Sequence, residues 1–174
     1  RINITLHTAL FTQRRSSTNM SQSNSQIKKL QLSNKQFLPE VIKVIQEGHT
    51  ATISLRGYSM RPFLEDGRDK AILTKPTNIK VGDPVLAELT GQQYVLHRII
   101  AINGNDVVLR GDGNYLCEYC TLDDIRASVV GFYRKGRKTI DYTNHWKWKT
   151  YSFFWTRLFP IRRYLLYIYR KVFL

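Results

Sequence analysis

Over the middle of this chain, apolar residues recur with a period of two. Ala51, Ile53 and Leu55 alternate with Thr52, Ser54 and Arg56, the spacing of a strand with one buried face. Further strands are predicted over Lys70–Thr74, Pro84–Leu89, Tyr94–Ile102, Asp106–Arg110 and Ser128–Arg134. The breaks between them are Pro76 to Asp83, Gly91-Gln92, Asn103-Gly104-Asn105 and Gly111 to Asn114, all rich in turn-forming residues. Thr121-Leu122-Asp123-Asp124 reads as one capped helical turn. Short strands with Gly and Asn turns predict a mainly β fold, a coiled antiparallel β-structure or partial barrel.

The period changes at both ends. Leu38, Val41, Ile42 and Ile45 recur at helical spacing and predict a short helix over about 37–47, with Pro39 in its first turn and Gly48 as its stop. Residues 12–34 are rich in Ser, Asn, Gln, Arg and Lys, with too little apolar surface to order a chain. From His145 onward, Trp146, Trp148, Tyr151, Phe153, Phe154, Trp155 and Phe159 crowd in before Pro160. Beyond it Ile161, Tyr164, Leu165, Ile168 and Val172 form a helical stripe, with Arg162, Arg163 and Arg170 away from it. The expected organisation is a disordered or upstream extension over 1–34, one domain over 35–141 and a basic aromatic helical tail over 142–174.

Charge sharpens that division. The net charge is +14, yet residues 40–133 hold ten Lys/Arg against twelve acids. Residues 1–39 hold six Lys/Arg and no acid, and residues 134–174 hold eleven against Asp141 alone. Basic ends favour polyanions, either an anionic membrane surface or nucleic acid. The chain shows no apolar run of spanning length and no secretory signal in its first 19 residues, and Met20 is the expected start. Cys117 and Cys120 form a single Cys-x-x-Cys with no second pair to complete a zinc site. They read as two reduced thiols in a loop, with a redox pair as the alternative.

Three phrases carry candidate chemistry: Gly57-Tyr58-Ser59-Met60-Arg61-Pro62, Val95-Leu96-His97-Arg98-Ile99 and Arg110-Gly111-Asp112-Gly113-Asn114. They put a serine on a tight turn, a histidine in a strand and an aspartate in a Gly-rich turn. Acyl transfer needs a hydroxyl that loses its proton as it attacks. An imidazole, mostly neutral at pH 7, can take that proton, and a carboxylate can hold one tautomer of the ring. Ser59 is thus the candidate nucleophile, His97 the base and Asp112 the orienter. Backbone donors around the turn, at Gly57, Tyr58 and Met60, are the candidate oxyanion or substrate contacts. Each phrase taken singly also suits a solvated turn, a core histidine or an ordinary hairpin turn.

In this order, from about Leu55 to Tyr133, the phrases resemble the signal peptidase and LexA-like serine peptidase superfamily. Val81-Gly82-Asp83 and Val130-Gly131-Phe132 extend the match. His97 before Arg98, where bacterial signal peptidases and LexA-type repressors have a lysine base, is similar to the archaeal and endoplasmic-reticulum branch. The resemblance implies a second acid beyond the Gly-Asp-x-Asn turn, for which Glu118 is the nearest residue. The chain departs from the family in several places. Gly57 stands where signal peptidases commonly carry a second serine, the usual Leu-x-x-Gly-Asp becomes Leu64-Glu65-Asp66-Gly67-Arg68-Asp69, and only a polar stretch and a short helix precede Ser59. Neither Ala-Gly nor Cys-Gly occurs, and residues 1–48 carry no helix-turn-helix pattern, so repressor-type self-cleavage is not expected.

The expected function is that of a serine endopeptidase acting on peptide or protein substrates, in leader or signal peptide processing, with no metal or organic cofactor. The alternatives are a catalytically inactive binding module on the same fold and a membrane-surface adaptor, with nucleic acid the weaker partner. The expected location is the cytoplasm, with peripheral attachment at the inner face of the membrane through residues 145–174. For that tail the competing reading is a helical hairpin that packs its aromatics on the β-core.

Overall fold

A computed structural model describes residues 34–173. The expected extension over 1–34 and the expected start at Met20 lie outside the described residues, apart from Asn34. That residue opens helix α1, Asn34–Gln46, three positions earlier than its apolar spacing suggests. Leu38, Val41 and Ile45 are buried on its inner face, and Gly48 follows its end at a φ of +92°, a backbone conformation that favours glycine.

The fold is mainly β, as the alternation predicts. Strands β1 (Ala51–Ser54), β2 (Lys70–Thr74), β3 (Pro84–Leu89), β4 (Gln93–Asn103), β5 (Asp106–Arg110), β6 (Glu118–Thr121) and β7 (Ile125–Tyr133) form one antiparallel sheet curled into a half-barrel. Their spatial order is β1-β2-β7-β3-β4-β5-β6, and the two-residue β8 (Asp141–Tyr142) pairs with β7. β2, β3 and β5 have the predicted bounds. The short β6 and β8 were not predicted, and β7 starts three residues before its predicted onset. A 3₁₀ turn over Leu122–Asp124 joins β6 to β7, with Asp124 accepting from both the N–H and the hydroxyl of Thr121.

Alternation within a strand sends successive side chains to opposite faces, and here both faces are covered. Leu86 and Leu96 join the core under α1, with Ile53, Leu73 and Phe132. Their neighbours Val85, Ala87 and Val95 join a second cluster with Ile99, Val107 and Leu109 on the other face.

The tail is part of this fold. Helix α2 (Trp146–Arg157) buries Trp148, Ser152 and Trp155. A 3₁₀ turn through Pro160 leads into α3 (Arg162–Phe173). The Trp148 ring lies 5.1 Å from Phe132 of β7 and 4.5 Å from Phe63 in the turn after Ser59. Tyr151 adds a contact with Phe63 at 4.9 Å. The inner face of α2 therefore follows the packed-hairpin reading, and its aromatics close the core beside the Ser59 turn.

Burying an indole in such a cluster contributes several kcal/mol, so Trp148→Ala should lower the unfolding free energy by about 3–5 kcal/mol. Urea denaturation checks this. A loss below about 1 kcal/mol would mean that the tail is an appendage rather than a structural layer.

Candidate active site

Ser59 lies in the long connection between β1 and β2, which is held closed by its own acids. Gly57 has a φ of +97°, and its N–H donates to Asp66 Oδ1 at 2.7 Å. The buried carboxylate of Asp69 accepts from the Glu65 N–H at 2.9 Å and from Arg68. Arg61 forms a pair with Glu65 at 2.8 Å and stacks its guanidinium over the Tyr58 ring at 4.0 Å. Asp66 and Asp69, both from the 64–69 segment, thereby fix the turn.

The sheet supplies the base. β4 pairs Ile99 with Leu109 of β5, and Leu109 pairs in turn with Glu118 of β6. That register carries Glu118 across towards the middle of β4, where His97 sits. His97 is buried. Its Nε2 is 3.0 Å from Ser59 Oγ, and its Nδ1 is hydrogen-bonded to Glu118 Oε2. An ionised carboxylate only accepts, so Glu118 holds the ring proton on Nδ1. Nε2 is then left as a lone pair facing the serine hydroxyl.

Asp112, the expected orienter, lies elsewhere. Arg98 donates from Nε to its Oδ1 at 2.8 Å and from Nη2 to its Oδ2 at 2.7 Å, and both residues are almost fully buried. The reason is local. His97 and Arg98 are consecutive in a strand and serve opposite faces. The Gly111–Asn114 turn is locked to the nucleophile by its main chain, so its aspartate meets the second of these residues, not the first. The Gly113 N–H donates to the Ser59 carbonyl at 2.7 Å, and a Cβ at Gly111 would collide with that same carbonyl.

α2 completes the shell around the ion pair. Arg98 Nη1 donates to the Gly82 carbonyl at 2.8 Å and to Ser152 Oγ, and its guanidinium lies 4.7 Å from the Trp148 ring centre. Tyr151 donates to Asp112 Oδ2 at 3.4 Å, and Trp155 Nε1 donates to the Asp112 carbonyl at 3.0 Å. Burial alone would lower the pKa of Arg98; the Asp112 carboxylate outweighs it and holds the guanidinium above its ordinary value. None of the α2 partners was foreseen from the sequence.

No protein-family model matches the chain, and no curated protein matches it at a significant level. The site is therefore read from its own geometry.

The candidate oxyanion donors divide. The Gly57 N–H is engaged by Asp66 and is not free to bind an oxyanion. Among the described residues, the N–H groups of Tyr58, Ser59 and Met60 donate no hydrogen bond. Tyr58 is exposed, whereas Met60 is buried. Beside Ser59 lies a cavity of about 440 Å³, walled by Tyr58, Arg61 and Asn114 and, across from them, by Leu166, Tyr169 and Arg170 of α3. A hollow of about 10 Å³ also touches Ser59, lined by Leu55, Met60, Leu64 and Leu96. A larger cavity of about 620 Å³, which Ser59, His97 and Glu118 do not line, lies between α2 and the β8 region and is bordered by Phe63, Trp148 and Tyr151.

The two thiols flank Glu118. Burial, with help from Asp124 and Glu118, pushes the Cys120 thiol up to about 11, which keeps it protonated and weakly nucleophilic at neutral pH.

Removing one partner of a buried pair leaves an uncompensated charge. Asp112→Ala should therefore cost about 3–5 kcal/mol of stability, read by urea denaturation. A variant as stable as wild type would contradict this role for the pair.

Proposed function

We propose that this protein is a serine endopeptidase of the signal peptidase and LexA-like kind, with Ser59 as nucleophile, His97 as general base and Glu118 as the residue that orients the base. The observation that carries this reading is the continuous contact from Ser59 Oγ through the His97 ring to Glu118, with the reactive end 3.0 Å long.

The chemistry follows from that arrangement. A substrate enters the Ser59 cavity, and Oγ attacks the carbonyl carbon of the scissile bond while its proton passes to His97 Nε2. Glu118 stabilises the imidazolium that forms. The carbonyl oxygen becomes an oxyanion, for which the unengaged N–H groups at Ser59 and Met60 are the candidate donors. Nε2 then protonates the leaving amine, the C–N bond breaks and an acyl-serine remains. Water, deprotonated by the same ring, releases the acyl group and restores the hydroxyl. The small apolar hollow at Ser59 suits a small side chain next to the scissile bond. The substrate class that this reading favours is a leader or signal peptide presented in extended form.

The test compares protein N-termini in cells carrying wild type, Ser59→Ala and His97→Ala. New N-termini confined to wild type are expected, and an unchanged set from folded, expressed proteins would overturn the reading in favour of a non-cleaving module.

The two acids should separate in purified protein, assayed on a peptide spanning a mapped site. Glu118→Gln should lower kcat by about 10²–10⁴-fold with little change in unfolding midpoint. Asp112→Asn should instead lower the midpoint. The opposite pattern would return the orienting role to Asp112.

A further inference from the structure

The stripe that α3 displays in the sequence does not face the core. Ile161, Tyr164, Ile168 and Val172 are 47%, 68%, 55% and 65% exposed. The side turned inward instead holds Arg162, Leu166 and Tyr169, with Tyr169 donating to Glu65 Oε1 at 2.7 Å. α2 adds Phe153 and Phe154, both exposed and in edge-to-face contact at 5.5 Å. An amphipathic helix normally packs its apolar stripe; this one packs the other side and leaves the stripe outward. An outward-facing apolar stripe of this kind marks an interaction face.

The charge around the stripe selects the partner. Residues 142–174 contain seven Lys or Arg and no Asp or Glu. Lys147, Lys149, Arg157, Arg163, Arg170 and Lys171 are all exposed. Exposed aromatic and aliphatic side chains on a segment rich in cations and free of acids, with Lys171 beside the stripe and Arg157 stacked on Phe153, match the layered chemistry of an anionic bilayer, in which acyl chains lie beneath negative headgroups. The geometry agrees with a helix lying flat. α3 has 12 residues, about 18 Å of helix, and no helix among the described residues is long and apolar enough to cross a membrane.

We propose that the outer faces of α3 and the end of α2 form a docking surface for an anionic lipid bilayer, with Tyr164, Ile168, Val172 and Phe154 entering the interface and Lys171 beside the stripe and Arg157 over Phe153 meeting the headgroups. The inward side of the same helix lines the Ser59 cavity, so docking brings that cavity to the membrane surface. The surface itself is independent of whether Ser59 cleaves anything.

Flotation of the full chain tests this, with vesicles of phosphatidylcholine alone and with about 30% phosphatidylglycerol added. Wild type should float with the anionic vesicles, and the bound fraction should fall as salt rises from about 0.1 to 1 M. Tyr164→Glu with Ile168→Glu should reduce the bound fraction about ten-fold or more. Both positions are exposed, so the unfolding midpoint should not move, and circular dichroism and urea denaturation check that the variant is folded. Equal flotation with neutral vesicles, or undiminished flotation of the folded variant, would overturn the proposal. So would a wild type that ignores vesicles and sediments as a dimer that the double substitution breaks, since the stripe would then be covered by a second copy.

Discussion

Arg98 and Asp112 face each other with almost no exposure to water, at the point where β4, the Gly111–Asn114 turn and α2 meet. Desolvating two charges costs more than their attraction returns unless further hydrogen bonds complete the geometry. Here the Gly82 carbonyl, Ser152, Tyr151 and Trp155 complete it. Three of those four partners belong to α2, so the pair requires the C-terminal helix. The pair also fixes the spacing of the site, because Arg98 follows His97 and Asp112 stands between the two glycines that press on the Ser59 main chain. One interaction thereby ties the strand of His97 to the turn of Ser59.

The same constraint explains the division of labour among the acids. A buried aspartate engaged by a guanidinium through both oxygens has little capacity left for an imidazole. The ring is met by Glu118 from β6, beyond β5 in the sheet, half-buried where Asp112 is enclosed. One carboxylate meets the guanidinium and the other the imidazole, and only register decides which is which.

Much of this was legible along the chain. β2, β3 and β5 show clear alternation between Gly, Pro and Asn breaks, and their bounds followed directly. β6 escaped because Glu118-Tyr119-Cys120-Thr121 has no fully buried position and so no apolar alternation to read. The Ser59 and His97 contact could be expected from two phrases that each had a chemical reason to be there. The assignment of the orienting acid could not. Asp112 and Glu118 lie six positions apart around a turn, and the Ile99–Leu109–Glu118 register that selects between them is a property of the paired sheet. The tail misled for a different reason. Its helical stripe has the period of a core face, but the inward side is filled by Leu166, by Arg162, which donates to the Trp155 carbonyl, and by Tyr169, whose partner Glu65 lies far away in sequence.

β6 is four residues long, ends the sheet and pairs along its length with β5 alone. Segments of that sort open by local fluctuation at a free energy well below that of global unfolding. The carboxylate that sets the His97 tautomer therefore rides on one of the least secured strands of the sheet, while the ion pair behind it is among the most secured. Amide exchange along β6 would then report the fraction of time the imidazole is correctly held, and warming would erode that fraction before the fold itself melts. The imidazole's hold on its carboxylate is set by a strand edge, and the protein's lifetime by its core.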